Sequence, residues 1–128
     1  MVRVFQTLMW DLYGCSRNLV YFNDIEHELV DILSENGLKI VDKPVVTDYG
    51  SEDGHGFNFY VPLRDSAFII YTWPEKKLTG ITLELCSEGL DEDGLCDDLR
   101  RFFDAKYVDR DPDPKKRGYR WEEFSGLL

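Results

Sequence analysis

Three apolar runs follow one another closely in the middle of the chain, at residues 57–63, 67–73 and 79–86, separated only by Arg64-Asp65-Ser66 and Pro74-Glu75-Lys76-Lys77. Connections this short cannot carry a crossover, so the runs must be antiparallel neighbours. The flanking pattern supplies what covers them. Residues 2–13 are rich in β-branched, aromatic and apolar side chains and end at Gly14, which predicts a first strand. Between residues 18 and 36, Phe22, Ile25, Leu29, Ile32 and Leu33 recur at helical spacing and Asn36-Gly37 supplies a stop, which predicts a helix. The acids on its other face, Asp24, Glu26, Glu28 and Asp31, fit a solvated surface.

Residues 38–47 read as a strand interrupted by Pro44, and residues 48–56 as a polar, glycine-rich loop. That loop is acidic and leads into a strand rather than a helix, which argues against a phosphate cradle. A second helix is expected over residues 92–104, with Leu95, Leu99, Phe102 and Phe103 on one stripe after an acidic first turn. Residues 106–109 read as a last strand, 111–116 as a proline-broken charged loop, and 118–128 as a tail containing Trp121 and Phe124. The order β-α-β-β-β-β-α-β predicts an α+β fold, a two-layer sandwich of one antiparallel sheet with both helices on one face. The 128 residues suit a single domain, taken as 1–120 with a tail at 121–128.

Charge narrows the functions such a domain can have. Fifteen basic against 25 acidic residues leave a net charge of −10, and the one basic cluster, Lys115-Lys116-Arg117, is short, so a nucleic-acid backbone is not an expected partner. No apolar run approaches the ~18–20 residues of a membrane span and the N-terminus lacks a cleavage pattern, so no membrane role and a cytoplasmic location are expected. Cys15, Cys86 and Cys96 are odd in number without CxxC spacing, and His27 and His55 add no ligand set, so reduced thiols and no metal are expected.

Taken singly, Ser66 in a turn is turn chemistry, Cys86 at a strand end is a small buried hydrophobe, and Pro74-Glu75 after a strand is another turn. Their joint spacing carries more. With Asp11-Leu12-Tyr13-Gly14-Cys15 at the end of the first strand, Thr72-Trp73-Pro74-Glu75, Ser66 seven residues before Trp73, Cys86 thirteen after it and the late Lys116-Arg117-Gly118-Tyr119, residues 5–120 resemble the prokaryotic S-adenosylmethionine decarboxylases.

The resemblance implies a cofactor made from the chain itself. The Ser66 hydroxyl attacks the carbonyl of Asp65, the resulting ester undergoes β-elimination, and a pyruvoyl group is left at the start of the new chain 66–128. That ketone condenses with the substrate amine and withdraws the electrons released with carbon dioxide, the role pyridoxal phosphate plays elsewhere. By the same resemblance Cys86 returns the proton, Glu75 receives hydrogen bonds from the ribose hydroxyls, the product feeds polyamine (spermidine) synthesis, and the free sheet face builds a homodimer with Phe57, Phe59 and Val61, or the residues between them, buried in it. Ser66, Cys86 and Glu75 are expected in one cleft.

Departures from the family pattern concern processing above all. Tyr71 stands where the family has a histidine that helps the ester eliminate, and a phenol, unlike an imidazole, is no base near neutral pH. Asn58 stands at the auxiliary processing serine, and Asp65 and Ala67 replace a usual glutamate and a usual histidine or serine. The adenine-stacking aromatic falls near Glu52, with Tyr13, His55 or Phe57 as substitutes. Two functions therefore compete: a pyruvoyl-dependent decarboxylase of S-adenosylmethionine or a related amino acid, and an unprocessed homologue serving as a ligand-binding or regulatory subunit, paired with an active paralogue. An unrelated α+β binding domain is the third.

Overall fold

The computed structural model describes residues 3–49, 56–64, 66–86, 90–110 and 115–119, with residues 3–5 and 115–119 described through their backbone. Glu52, His55, Asp65, Trp121, Phe124 and the 121–128 segment lie outside the described residues. The elements are β1 (Arg3–Tyr13), α1 (Asn23–Glu35), β2 (Val45–Asp48), β3 (Phe57–Leu63), β4 (Ser66–Trp73), a 3-10 turn (Pro74–Lys76), β5 (Leu78–Leu85), α2 (Glu92–Phe103), β6 (Tyr107–Arg110) and β7 (Lys115–Tyr119). They form one antiparallel sheet in the order β2-β3-β4-β5-β1-β6, with β7 also on β1, and the two helices cover one face.

The register explains the single covered face. Trp10, Ile81, Ile70 and Phe59 lie across from one another on β1, β5, β4 and β3, as do Leu8, Leu83, Phe68 and Val61 in the adjacent row. All eight are buried, and they pack with Ile25, Leu29 and Leu33 of α1 and Leu95, Leu99 and Phe103 of α2. Side chains alternate across a strand, so the partners of these residues face away from the helices. Met9, Thr82, Ile69, Tyr60 and Val45 form one row of that open face, and Met9, Tyr60 and Val45 are exposed. Phe57, Phe59 and Val61 thus belong to the helix-covered core, and the intervening Asn58, Tyr60 and Pro62 belong to the open face.

Three boundaries differ from the sequence reading. The first helix begins at Asn23, not 18: Asn18 is left-handed at φ 62°, its side-chain Nδ2 donates to the Phe102 carbonyl at 2.7 Å, and Phe22 is exposed. Residues 18–22 cross to the end of α2 instead of joining the stripe. The strand expected over 38–47 shrinks to Val45–Asp48 after Pro44, because the preceding segment lies along the end of β3, where Val41 N–H donates to Pro62 O at 3.1 Å and Arg64 N–H to Lys39 O at 2.9 Å. Residues 115–119, read as loop and tail, form β7 against Arg3–Thr7. The eleven-residue β1 outruns the four-residue β6, its remaining backbone groups need a partner, and a lysine-rich segment suits an edge strand.

One side chain ties the layers together. Thr72 falls on the covered face, 4% exposed; its Oγ1 accepts from Phe57 N–H at 2.9 Å and donates to the Leu19 carbonyl at 2.8 Å. It therefore links β4, the start of β3 and the loop after β1. Gly56 is required beside it, since a Cβ there would lie 1.9 Å from Thr72 Oγ1 and 2.5 Å from Leu19 O. Thr72→Val keeps the shape but leaves the Phe57 N–H without its acceptor in a buried site. We expect it to lower the unfolding free energy by about 2–3 kcal/mol, read from urea denaturation midpoints.

Candidate functional site

Ser66 opens β4 and Cys86 follows β5, so the β4–β5 ladder brings two residues far apart in sequence to the same sheet end. Contact is direct: the Cys86 N–H donates to Ser66 Oγ at 3.3 Å, and that hydroxyl lies 3.4 Å from the Arg64 carbonyl. Around them is a cleft of about 370 Å³ lined by Gly37, Leu38, Lys39, Leu63, Arg64 and Leu85. Lys39 and Arg64 form no ion pair among the described residues. The sequence reading missed both, because the bond from Arg64 N–H to Lys39 O joins segments with no motif between them.

The remaining candidates gather at the other end of the strands. Asn58 and Tyr71 sit directly opposite each other on β3 and β4, and both face the open side. The Asn58 side-chain Nδ2 donates to Tyr49 Oη at 2.9 Å, and Tyr71 meets the Trp73 ring with centroids 6.1 Å apart. These residues line a cleft of about 330 Å³ with two tyrosines and a tryptophan as walls. Trp73 lies over Gly80, where a Cβ would meet its ring at 3.4 Å, an ordinary van der Waals contact. Glu75, exposed in the Pro74–Lys76 turn, and Tyr13, exposed on the open face one strand beyond Leu78, belong to this same end.

The protomer therefore does not unite all the expected residues. Ser66 and Cys86 share a cleft, but Glu75, Asn58 and Tyr71 stand towards the far end of β4, an eight-residue strand spanning roughly 23 Å at ~3.3 Å per residue. Phe57 cannot stack on a ligand here: it is fully buried on the helix side, edge-on to Tyr21 at 5.9 Å. Tyr49 is the aromatic at the cleft that sequence reasoning missed. Thr72 could have been found, since period-2 alternation with Phe68 and Ile70 puts its hydroxyl on a buried face.

A model of the S-adenosylmethionine decarboxylase family matches residues 6–112. The chain belongs to the S-adenosylmethionine decarboxylase family. Among solved structures, the crystal structure of the adenosylmethionine decarboxylase from Aquifex aeolicus VF5 is similar, with a TM-score of 0.69 over 91% of this chain and 89% of that one, at 19% identity. At that identity the likeness is one of fold. No curated protein matches the sequence. Among the described residues, no group of three or more His, Cys, Asp or Glu could hold a metal ion, and no helix is long and apolar enough to cross a membrane.

The three thiols of this decarboxylase homologue occupy different environments. Cys15 and Cys96 are buried, and burial pushes both thiols above their ordinary pKa; the Cys15 Sγ also contacts Thr79 Oγ1 at 3.6 Å. Cys86 is half-buried at the rim of its cleft. A thiol must ionise and be reached to react. In the native protein at neutral pH, a disulfide reagent should therefore modify one thiol rapidly, identified as Cys86 by peptide mapping, with Cys15 and Cys96 reacting only on unfolding. Equal rates at all three would contradict the burial described.

Proposed function

We infer that the protein is a pyruvoyl-dependent decarboxylase of S-adenosylmethionine, or of a related amino acid, that works as a two-fold homodimer through the open sheet face and processes itself slowly. The observation that carries this reading is the 3.3 Å contact between the Cys86 N–H and Ser66 Oγ, which joins the residue that would become the cofactor to the residue that would supply the proton. Ser66 keeps the hydroxyl from which the pyruvoyl group derives, and its cleft is open enough for a substrate, so the residues present fit that group. The pyruvoyl group supplies the electron sink for loss of carbon dioxide. Cys86 acts as general acid towards the substrate α-carbon, and Glu75 accepts hydrogen bonds from the ribose hydroxyls.

A homodimer is favoured by the separation of the two ends. The open face carries exposed Met9, Val45 and Tyr60, and a sheet face that no described element covers suits a second layer. An isologous contact whose two-fold axis lies in the interface across the strands reverses strand direction. It brings the Ser66 end of one protomer over the Trp73 end of its partner, and so gathers serine, cysteine, aromatic cleft and Glu75 twice per dimer. In self-processing, Ser66 Oγ attacks the Asp65 carbonyl and the ester must then lose the Ser66 α-proton. Tyr71 is a poor base for that loss and Asn58 offers no auxiliary hydroxyl.

The joint replacement of two opposed residues supports a second reading, an uncut homologue that keeps the aromatic cleft as a binding or regulatory subunit. Intact mass under denaturing conditions separates the two. Under the first reading the purified protein is largely one 15.0 kDa species whose cut fraction grows with time, the new fragments ending at Asp65 and beginning with a pyruvoyl group. Tyr71→His with Asn58→Ser should accelerate cutting at least tenfold, either change alone less, with the rate rising as pH passes ~6.5 and the new imidazole becomes neutral. Ser66→Ala should stay uncut. A wild-type chain that is never cut, and a folded double variant that is also never cut, would leave the second reading standing.

Two further measurements test the mechanism. Cys86→Ala in processed protein should lower turnover by about 100-fold or more with little change in stability, the usual scale for removing a general acid; unchanged turnover would remove Cys86 from the mechanism. Ile69→Glu, which puts a charge in the centre of the open face, should convert a dimer seen by sedimentation to monomer and abolish the gain from the double variant.

A further inference from the structure

On the far side of the turn that carries Glu75, a cleft of about 420 Å³ lies between the loop after β1 and the Pro74–Lys76 turn. Its walls combine two chemistries. Arg17 and Lys77 are cationic, and Val20, Phe22 and Pro74 are apolar, with Val20 45% and Phe22 40% exposed. Nothing among the described residues uses these cations fully: neither forms an ion pair, and the single acceptor for the Arg17 guanidinium is the Arg101 carbonyl, 3.2 Å from Nη2. In a chain of net charge −10, two unpaired cations beside uncovered apolar side chains invite a complementary ligand.

The walls are also held in place. Cys15 N–H donates to Lys77 O at 3.0 Å, Ser16 and Arg17 N–H donate to Phe103 O at 3.1 and 3.2 Å, and Leu19 O is held by Thr72. Lys77 is itself left-handed at φ 49°, a conformation that a non-glycine residue adopts at a cost and that this pinning sustains. With three backbone donors of the loop occupied, the Ser16 hydroxyl on Asp104 and the Asn18 amide on Phe102 O, charge recognition falls to the Arg17 fork and the Lys77 ammonium. The cleft is large enough for a one-ring ligand and is preformed, which lowers the entropic cost of filling it.

The geometry points to a second ligand site here, for a small amphipathic anion: an oxyanion, phosphate or carboxylate, carried on an apolar ring. The oxyanion pairs with Arg17 and Lys77 while the ring packs against Val20, Phe22 and Pro74. Since Pro74 and Lys77 bracket Glu75, the site shares a turn with the substrate-recognition end. It does not depend on whether the chain is cut at Ser66.

The test is an amide-resonance titration of the full ¹⁵N-labelled chain with phenyl phosphate and, separately, benzoate, using benzyl alcohol as the ring alone and inorganic phosphate as the oxyanion alone. At least one aromatic anion should shift the amides of Cys15–Val20 and Lys77 saturably, at least tenfold more tightly than benzyl alcohol or inorganic phosphate. Arg17→Gln and Lys77→Gln should each weaken that binding about fivefold or more while leaving the remaining resonances in place, and Lys77→Arg should retain most of it. Shifts that do not saturate, that centre elsewhere, or that are as tight with inorganic phosphate, or an affinity unchanged in both glutamine variants, would overturn the proposal. Ser66→Ala binding as wild type does would separate this site from the decarboxylase reading.

Discussion

Every feature of this protein that bears on function follows from one constraint: the antiparallel ladder β3-β4-β5-β1 buries one set of alternating side chains and leaves the other uncovered. Rows such as Phe59, Ile70, Ile81 and Trp10 have the apolar bulk to hold two amphipathic helices, and a one-residue slip in any strand would turn that bulk to the wrong side. The register is thus strongly specified. Once it is set, so is the row of Met9, Thr82, Ile69, Tyr60 and Val45 on the far side, which no element among the described residues covers.

The same ladder separates the chemistry. Antiparallel strands return the chain to the same end every second crossing, so the start of β4 meets the end of β5, and Ser66 meets Cys86. By the same rule the end of β4, with Trp73 and the turn bearing Glu75, meets the start of β3 and, across the start of β5, shares its sheet end with the end of β1. Under the proposed function these are two half-sites, set at opposite strand ends by the ladder. A second protomer on the open face would resolve the separation without changing the fold, which is why the dimer and the chemistry are one proposal.

Thr72 shows how a residue in a recognition motif can act structurally. Its hydroxyl lies under the sheet and fastens the loop after β1 to the start of β3 through two hydrogen bonds. That loop then supports the cationic cleft at Arg17 and Lys77, while the neighbouring Trp73 turns the other way onto Gly80 and the aromatic cleft. Consecutive residues serve opposite faces because the strand period is two.

What the sequence determined by itself were the features carried by local period and by spacing: the two helices, the closely connected strands, the single covered face and the family relation through Ser66, Trp73, Glu75 and Cys86. Those signals are short-range, or are fixed offsets along one chain. Other features needed the tertiary structure, because they depend on contacts between segments with no pattern in common. The lysine-rich β7 is a strand only because β1 outruns β6, residues 18–22 leave the helical stripe only because Asn18 reaches Phe102 and Leu19 reaches Thr72, and Phe57 is withdrawn from any ligand by the register that buries it. Periodicity says which side chains share a face; which strand end each one reaches is decided by the ladder, and that is why Glu75 stands away from Ser66 in a single protomer.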